Sequence, residues 1–115
     1  MGAVFGQSGN ILSIKLDGEL DHHSADVVKE KADMLIDQKD MRHIIFDFEH
    51  INFMDSSGIG FVMGRYRRVQ EKGGQAVIVG ANDYVDRIFQ MSGIYQIIGK
   101  CRDMDEAVGL IEGER

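Results

Sequence analysis

Two adjacent hydroxyls beside a carboxylate, Asp55-Ser56-Ser57, are followed at once by Gly58-Ile59-Gly60. An apolar run, His43 to Phe48, ends a few residues before them, and a second apolar-periodic segment begins among them. The stretch from Met54 to Gly60 is therefore predicted to lie where a buried strand hands over to a helix. A helix start exposes unpaired backbone N–H groups and the positive end of the helix dipole. That environment suits an anion, so a serine here can carry a phosphate without local strain. Plain helix capping by Asp55-Ser56-Ser57 uses the same helix end and is compatible with that chemistry.

Other chemistries fit the same residues less well. A hydrolase nucleophile elbow needs Gly-x-Ser-x-Gly, but the residues two positions before Ser56 and Ser57 are Met54 and Asp55. His22 and His23 follow a predicted strand and could share a sheet end with Ser56, yet nothing in the sequence supplies an oxyanion hole. A small serine hydrolase using Ser56 with His22 or His23 is the enzyme alternative, and no catalytic residue is expected. Asp21-His22-His23 is compact, but adjacent histidines point apart on regular structure, and His43 and His50 have no ligand spacing. No metal site is expected. Gly58-Ile59-Gly60 lacks the lysine of a phosphate-cradling loop, so the chain is expected to hold no cofactor of its own.

The elements that position this stretch follow from periodicity. Val4 to Gln7 reads as a short edge strand, with Ser8-Gly9-Asn10 as a turn. Leu12, Ile14 and Leu16 alternate with Ser13 and Lys15, which predicts a strand with one buried side, broken by Asp17-Gly18. Ala25, Val28, Ala32, Leu35 and Ile36 fall at helical spacing, with Lys29, Glu30, Asp33 and Asp37 facing water and Asp21 or Ser24 as cap. His43 to Phe48 reads as a central strand covered on both faces, and Glu49 to Asn52 as a connection. A helix then runs from after Asp55 to about Lys72, with Ile59, Val62, Met63, Tyr66 and Val69 inward, and Gly73-Gly74 ends it. Gly58, Gly60 and Gly64 weaken this helix unless something must approach its backbone closely. Gln75 to Gly80 reads as a further buried strand. Asn82 or Asp83 caps a third helix with Val85, Ile88 and Phe89 inward, closed by Ser92-Gly93. Ile97-Ile98 reads as an edge strand, and an acidic capping box at Asp103 to Glu106 opens a last helix with Ala107, Val108, Leu110 and Ile111 inward. The pattern predicts a single domain over residues 1–115: a small α/β (α+β borderline) fold with a mixed sheet of four to five strands and four helices packed on it.

Composition narrows the function classes. The net charge of −6 argues against nucleic acid as a partner. The one basic cluster, Arg65, Arg67 and Arg68, is expected on the solvent side of its helix, where it would be a solvated face or a counterpart for an acidic protein. The single cysteine, Cys101, excludes an internal disulfide framework and fits a reducing compartment; it reads as a small strand-end residue, though Lys100 and Arg102 beside it could lower its pKa. No run approaches the ~20 apolar residues of a membrane span, and Met1 to Gln7 has no signal-peptide character, so a cytoplasmic protein without a membrane partner is expected.

Three segments together carry a resemblance. Gly18-Glu19-Leu20-Asp21-His22-His23-Ser24-Ala25, Arg42 to Phe48, and Phe53-Met54-Asp55-Ser56-Ser57-Gly58-Ile59-Gly60 with Gly64-Arg65-Tyr66 resemble the anti-sigma factor antagonists of the STAS domain family. Glu19 to His23 and Met91-Ser92-Gly93 are most similar to the sporulation sigma-F branch. The resemblance implies the STAS fold and a binding protein, not an enzyme. It implies that the unphosphorylated form binds an anti-sigma factor that is also a serine kinase, releasing the sigma factor. Phosphorylation by that kinase, which brings its own ATP and Mg, switches binding off, and a serine phosphatase resets the cycle. The implied modified residue is Ser56, with Ser57 the weaker candidate. The implied partner-facing residues are Asp21, Asp55, Ser56, Ser57, Gly58, Ile59 and Gly60. A STAS module of another stress or nucleotide-responsive system is the alternative within the family.

Overall fold

The computed structural model describes residues 1–113 and folds them into one five-stranded sheet with four helices. Strands β1 (Gly2–Ser8) and β2 (Ile11–Leu20) form an antiparallel hairpin whose turn places Gly9 at φ +59°, a left-handed conformation that glycine adopts freely. The chain continues through α1 (His22–Gln38), β3 (His43–Met54), α2 (Ser57–Glu71), β4 (Ala76–Val79), α3 (Asp83–Ser92), β5 (Gly99–Cys101) and α4 (Met104–Gly113). Spatial order equals chain order, and every strand pair after the first is parallel. The expected mixed sheet with four helices is therefore what forms.

Strand alternation divides the core in two. Ile14, Leu16, Phe46 and Phe48 meet Val28 and Ile36 of α1, Phe61 and Val62 of α2, and Phe89 of α3. On the other face Ile45, Val77, Val79 and Cys101 meet Ala107 and Ile111 of α4. Cys101 is buried there, and burial pushes its thiol pKa up, with Glu106 adding to the rise, not down as the flanking cations suggested.

Two expected breaks are absent. Asp17-Gly18 does not end β2, and Glu49 to Asn52 is not a connection. The two strands stay paired to their last residues, Glu19 with Phe53 and Leu20 with Met54. Gly18 takes φ +105° within β2, and the register slips between Lys15 and Asp17 and between Gly18 and Glu19, so the turn-like dipeptide is absorbed as an irregularity. Because β4 pairs only with Ile44 to Asp47, the far ends of β2 and β3 project past it and carry Leu20 and Met54 to the carboxyl rim of the sheet. Two smaller expectations also fail. Ile94–Gln96 form a 3-10 turn, Ile98 packs into the core and the edge strand is β5, while Leu110 lies exposed on α4.

The largest correction concerns Arg65. It is 4% exposed, not on the solvent side. Its Nε lies 2.8 Å from Asp33 Oδ1, and its Nη1 donates to the Phe61 carbonyl at 3.0 Å. Arg68 reaches Asp33 at 3.1 Å and Asp37 at 2.9 Å, and Lys72 reaches Asp40 at 3.2 Å. Asp33 and Asp37, expected to face water, form the other side of this ladder. It joins the carboxyl-terminal halves of α1 and α2.

Candidate functional site

The parallel ends of β2 and β3 set two helix starts side by side. The Asp55 N–H donates to the Leu20 carbonyl at 3.4 Å across the strand ends. Asp21 caps α1: its Oδ1 accepts the Ser24 N–H at 2.9 Å, and Ser24 Oγ accepts the Asp21 N–H at 3.0 Å. These bonds, the Ser24 backbone bond foremost, hold the Asp21 carboxyl below its ordinary range. The cap is therefore stabilising above that range and is lost as pH falls through the lowered value.

At α2 the capping falls to Asp55. Its Oδ1 accepts the Ser57 N–H at 2.8 Å, and its carbonyl accepts the Gly58 N–H at 3.0 Å. Ser56 is the N-cap residue by position, but it has helical φ and ψ of −62° and −16°, and its side chain makes no capping bond. The residue is exposed. One residue thus satisfies the helix start and its neighbour is left as a free surface hydroxyl. Ser57 is half-buried, beside a groove that runs between the amino-terminal halves of α1 and α2, with His22, Lys29, Gly60 and Gly64 along it.

The other predicted site residues divide. Gly58 is buried, and a Cβ there would press into the Met54 side chain, so its smallness serves the strand-to-helix fit. Ile59 is half-buried against the core. Gly60 is exposed, and an added Cβ would meet nothing within 4 Å. Asp21, Asp55, Ser56, Ser57 and Gly60 are brought together at the rim. His22 and His23 are exposed on the first turn of α1, with His22 4.0 Å from Asp26. Among the described residues, no hydrogen bond joins either histidine to Ser56 or Ser57. The arrangement leaves the Ser56 side chain on a helix start that Asp55 caps.

Sequence reasoning missed the residues that hold this rim in place. Tyr84 Oη donates to the Met54 carbonyl at 3.0 Å, and Asn82 Nδ2 donates to the Ile51 carbonyl at 3.1 Å. Both reach from the start of α3 to the projecting end of β3, some 30 residues back. No local pattern signals them; only the topology does.

Known proteins are similar to this chain in sequence and in fold. The STAS domain model matches residues 4–108. The anti-sigma F factor antagonist of Paenibacillus polymyxa is 39% identical over 88 residues, 76% of this chain and 75% of that protein. The anti-sigma-B factor antagonist of Bacillus subtilis is 31% identical over 93 residues, covering 80% and 83%. The anti-sigma factor antagonist SpoIIAA in its unphosphorylated form superposes with a TM-score of 0.87 at 31% identity over 97% of both chains. The phosphorylated form of the Bacillus SpoIIAA superposes with a TM-score of 0.77 at 30% identity, over 96% of this chain and 99% of that one. Among the described residues, no helix is long and apolar enough to cross a membrane. The matched span, the sequence identities and the superpositions lead to one conclusion: the chain belongs to the STAS domain family, among its anti-sigma factor antagonists.

Proposed function

We propose that this chain is a cytoplasmic, non-enzymatic partner switch controlled at Ser56. Unmodified, it docks on an anti-sigma factor that is itself a serine kinase, and a sporulation sigma factor is released. The kinase supplies ATP and Mg. Ser56 Oγ attacks the γ-phosphoryl group, the hydroxyl proton passes to a base of the kinase, and ADP leaves. The product separates, and a serine phosphatase hydrolyses the ester to restore the docking form. The partner-facing surface is the rim of Asp21, Asp55, Ser56, Ser57 and Gly60, with Gly58 and Ile59 supporting it from beneath. The higher identity to an anti-sigma F antagonist than to an anti-sigma-B antagonist favours the sporulation system over a stress system.

The observation that carries this reading is the division of labour at α2: Asp55 caps the helix, while Ser56 is exposed and its side chain makes no capping bond. A phosphate there adds about −1.5 to −2 charge at neutral pH without displacing a structural contact. Its penalty falls in the docked interface, as repulsion beside Asp55 and as desolvation. Incubation with a kinase of this class and Mg-ATP, followed by mass spectrometry, is expected to place one phosphate on Ser56 and none on Ser56→Ala. Phosphate on Ser57 alone would contradict the assignment. Ester hydrolysis dependent on His22 or His23 would instead support the enzyme alternative.

Gly60 gives an independent check on the surface. A glycine in α2 costs about 0.5–1 kcal/mol relative to alanine, and no neighbour among the described residues requires it. Gly60→Ala is expected to raise the melting temperature of the free protein while weakening its complex, because the added methyl obstructs the close approach of the partner. Melting curves and titration of the complex read the two effects separately. A stabilised variant that docks normally would place Gly60 outside the interface.

A further inference from the structure

Phe53 and Tyr84 are 42% and 48% exposed, yet their rings stack 6.3 Å apart at 28°. Phe53 comes from the projecting end of β3 and lies outside both core clusters. Tyr84 comes from the first turn of α3, and its hydroxyl is fixed on the Met54 carbonyl. The pair is thus a rigid apolar platform that the fold does not bury. It lies next to the Asp55-Ser56 turn, because Phe53 is three residues from Ser56, at most about 10 Å along the chain. Four carboxylates lie near it in register or along the chain. Glu19 is the register partner of Phe53, Asp83 adjoins Tyr84, and Asp21 and Asp55 follow the two strand ends. One guanidinium, Arg87, lies a turn further along α3.

We propose that the Phe53–Tyr84 platform is the anchor that holds the kinase while Ser56 enters its active site. The complementary patch on the kinase is an apolar side chain set among Lys or Arg. The proposal rests on the reading of Ser56 as the phosphorylated residue. A standard interface covers about 800 Å² on each partner, so a protein that engages Ser56 also covers a platform this near. Rigid aromatics lose little conformational freedom on docking and recur as the residues that dominate interface energy. The carboxylates carried by the same strand ends and helix start select a basic counterpart and repel an acidic one.

Steady-state phosphorylation of the full chain by purified anti-sigma F factor of Paenibacillus polymyxa, with Mg-ATP, tests it. Phe53→Ser is expected to raise KM for the chain about thirtyfold with kcat nearly unchanged, the size of one interface hot spot. Phe53→Tyr is expected to restore KM, and Tyr84→Ala to raise it as Phe53→Ser does. Met91→Ser, which removes an 83% exposed side chain at the other end of α3, is expected to leave KM alone. KM for the unaltered chain is expected to rise with salt. A wild-type KM for Phe53→Ser, an equal rise for Met91→Ser, or a salt-independent KM would overturn the proposal while Ser56 remained the modified residue. Absence of phosphate on Ser56 of the unaltered chain would overturn both the proposal and the reading beneath it. Circular dichroism melts of each variant separate lost docking from lost folding.

Discussion

Ser56→Asp is expected to weaken the complex with the anti-sigma factor by more than a hundredfold, while Ser56→Ala retains it. The difference corresponds to about 3 kcal/mol of docking energy. It follows from where the hydroxyl sits. Ser56 makes no capping bond and is exposed, so alanine removes nothing that the fold uses. A carboxylate at the same place faces the partner beside Asp55, and burying that second charge costs repulsion and hydration. The folded state should not suffer. A negative charge at a helix start is stabilising by about 0.3–1 kcal/mol, so Ser56→Asp is expected to melt at or above the temperature of the unaltered protein. Titration calorimetry and melting curves therefore move in opposite directions. Loss of binding accompanied by loss of folding would show a misfolded variant in place of a switch.

The second large effect concerns stability. Arg65→Met is expected to cost about 2–3 kcal/mol and to lower the melting temperature by about 10 °C. Arg65 is buried with its guanidinium on Asp33 and on the Phe61 carbonyl, and burial is the strongest influence pushing its pKa down. Methionine fills much of the volume but leaves the Asp33 carboxylate, 14% exposed, with only Arg68 at 3.1 Å. That remaining partner keeps the loss below the ~3–5 kcal/mol typical of a fully orphaned charge. Removing both charges should help: Arg65→Met with Asp33→Leu is expected to melt above Arg65→Met alone. Equal melting of the single variant and the unaltered chain would show that the ladder contributes nothing to the α1–α2 seam.

Much of the fold was legible because apolar period and helix signals agree. The alternation of Leu12, Ile14 and Leu16, the apolar run before Asp47, and the caps at Asp21 and Asn82 all appear where their pattern places them. The misreadings share one physical cause. Asp17-Gly18 and Glu49 to Asn52 have turn-like composition, but pairing between β2 and β3 outweighs local propensity. Arg65 looks like a surface residue until Asp33, 32 residues earlier, arrives to neutralise it. The same holds at the site. Asp55-Ser56-Ser57 stands out from its place between strand and helix, and the choice of Ser56 over Ser57 comes from the family resemblance; which residue caps the helix depends on backbone angles at Ser56. Tyr84 and Phe53 meet only because the far end of β3 projects beyond β4 to the start of α3.

The most direct test of the switch uses the modified protein itself. The chain phosphorylated on Ser56 and the same preparation after phosphatase treatment should be titrated in parallel against the anti-sigma factor with ADP present. The account predicts tight association for the dephosphorylated sample and at least a hundredfold weaker association for the phosphorylated one. Indistinguishable affinities would contradict it.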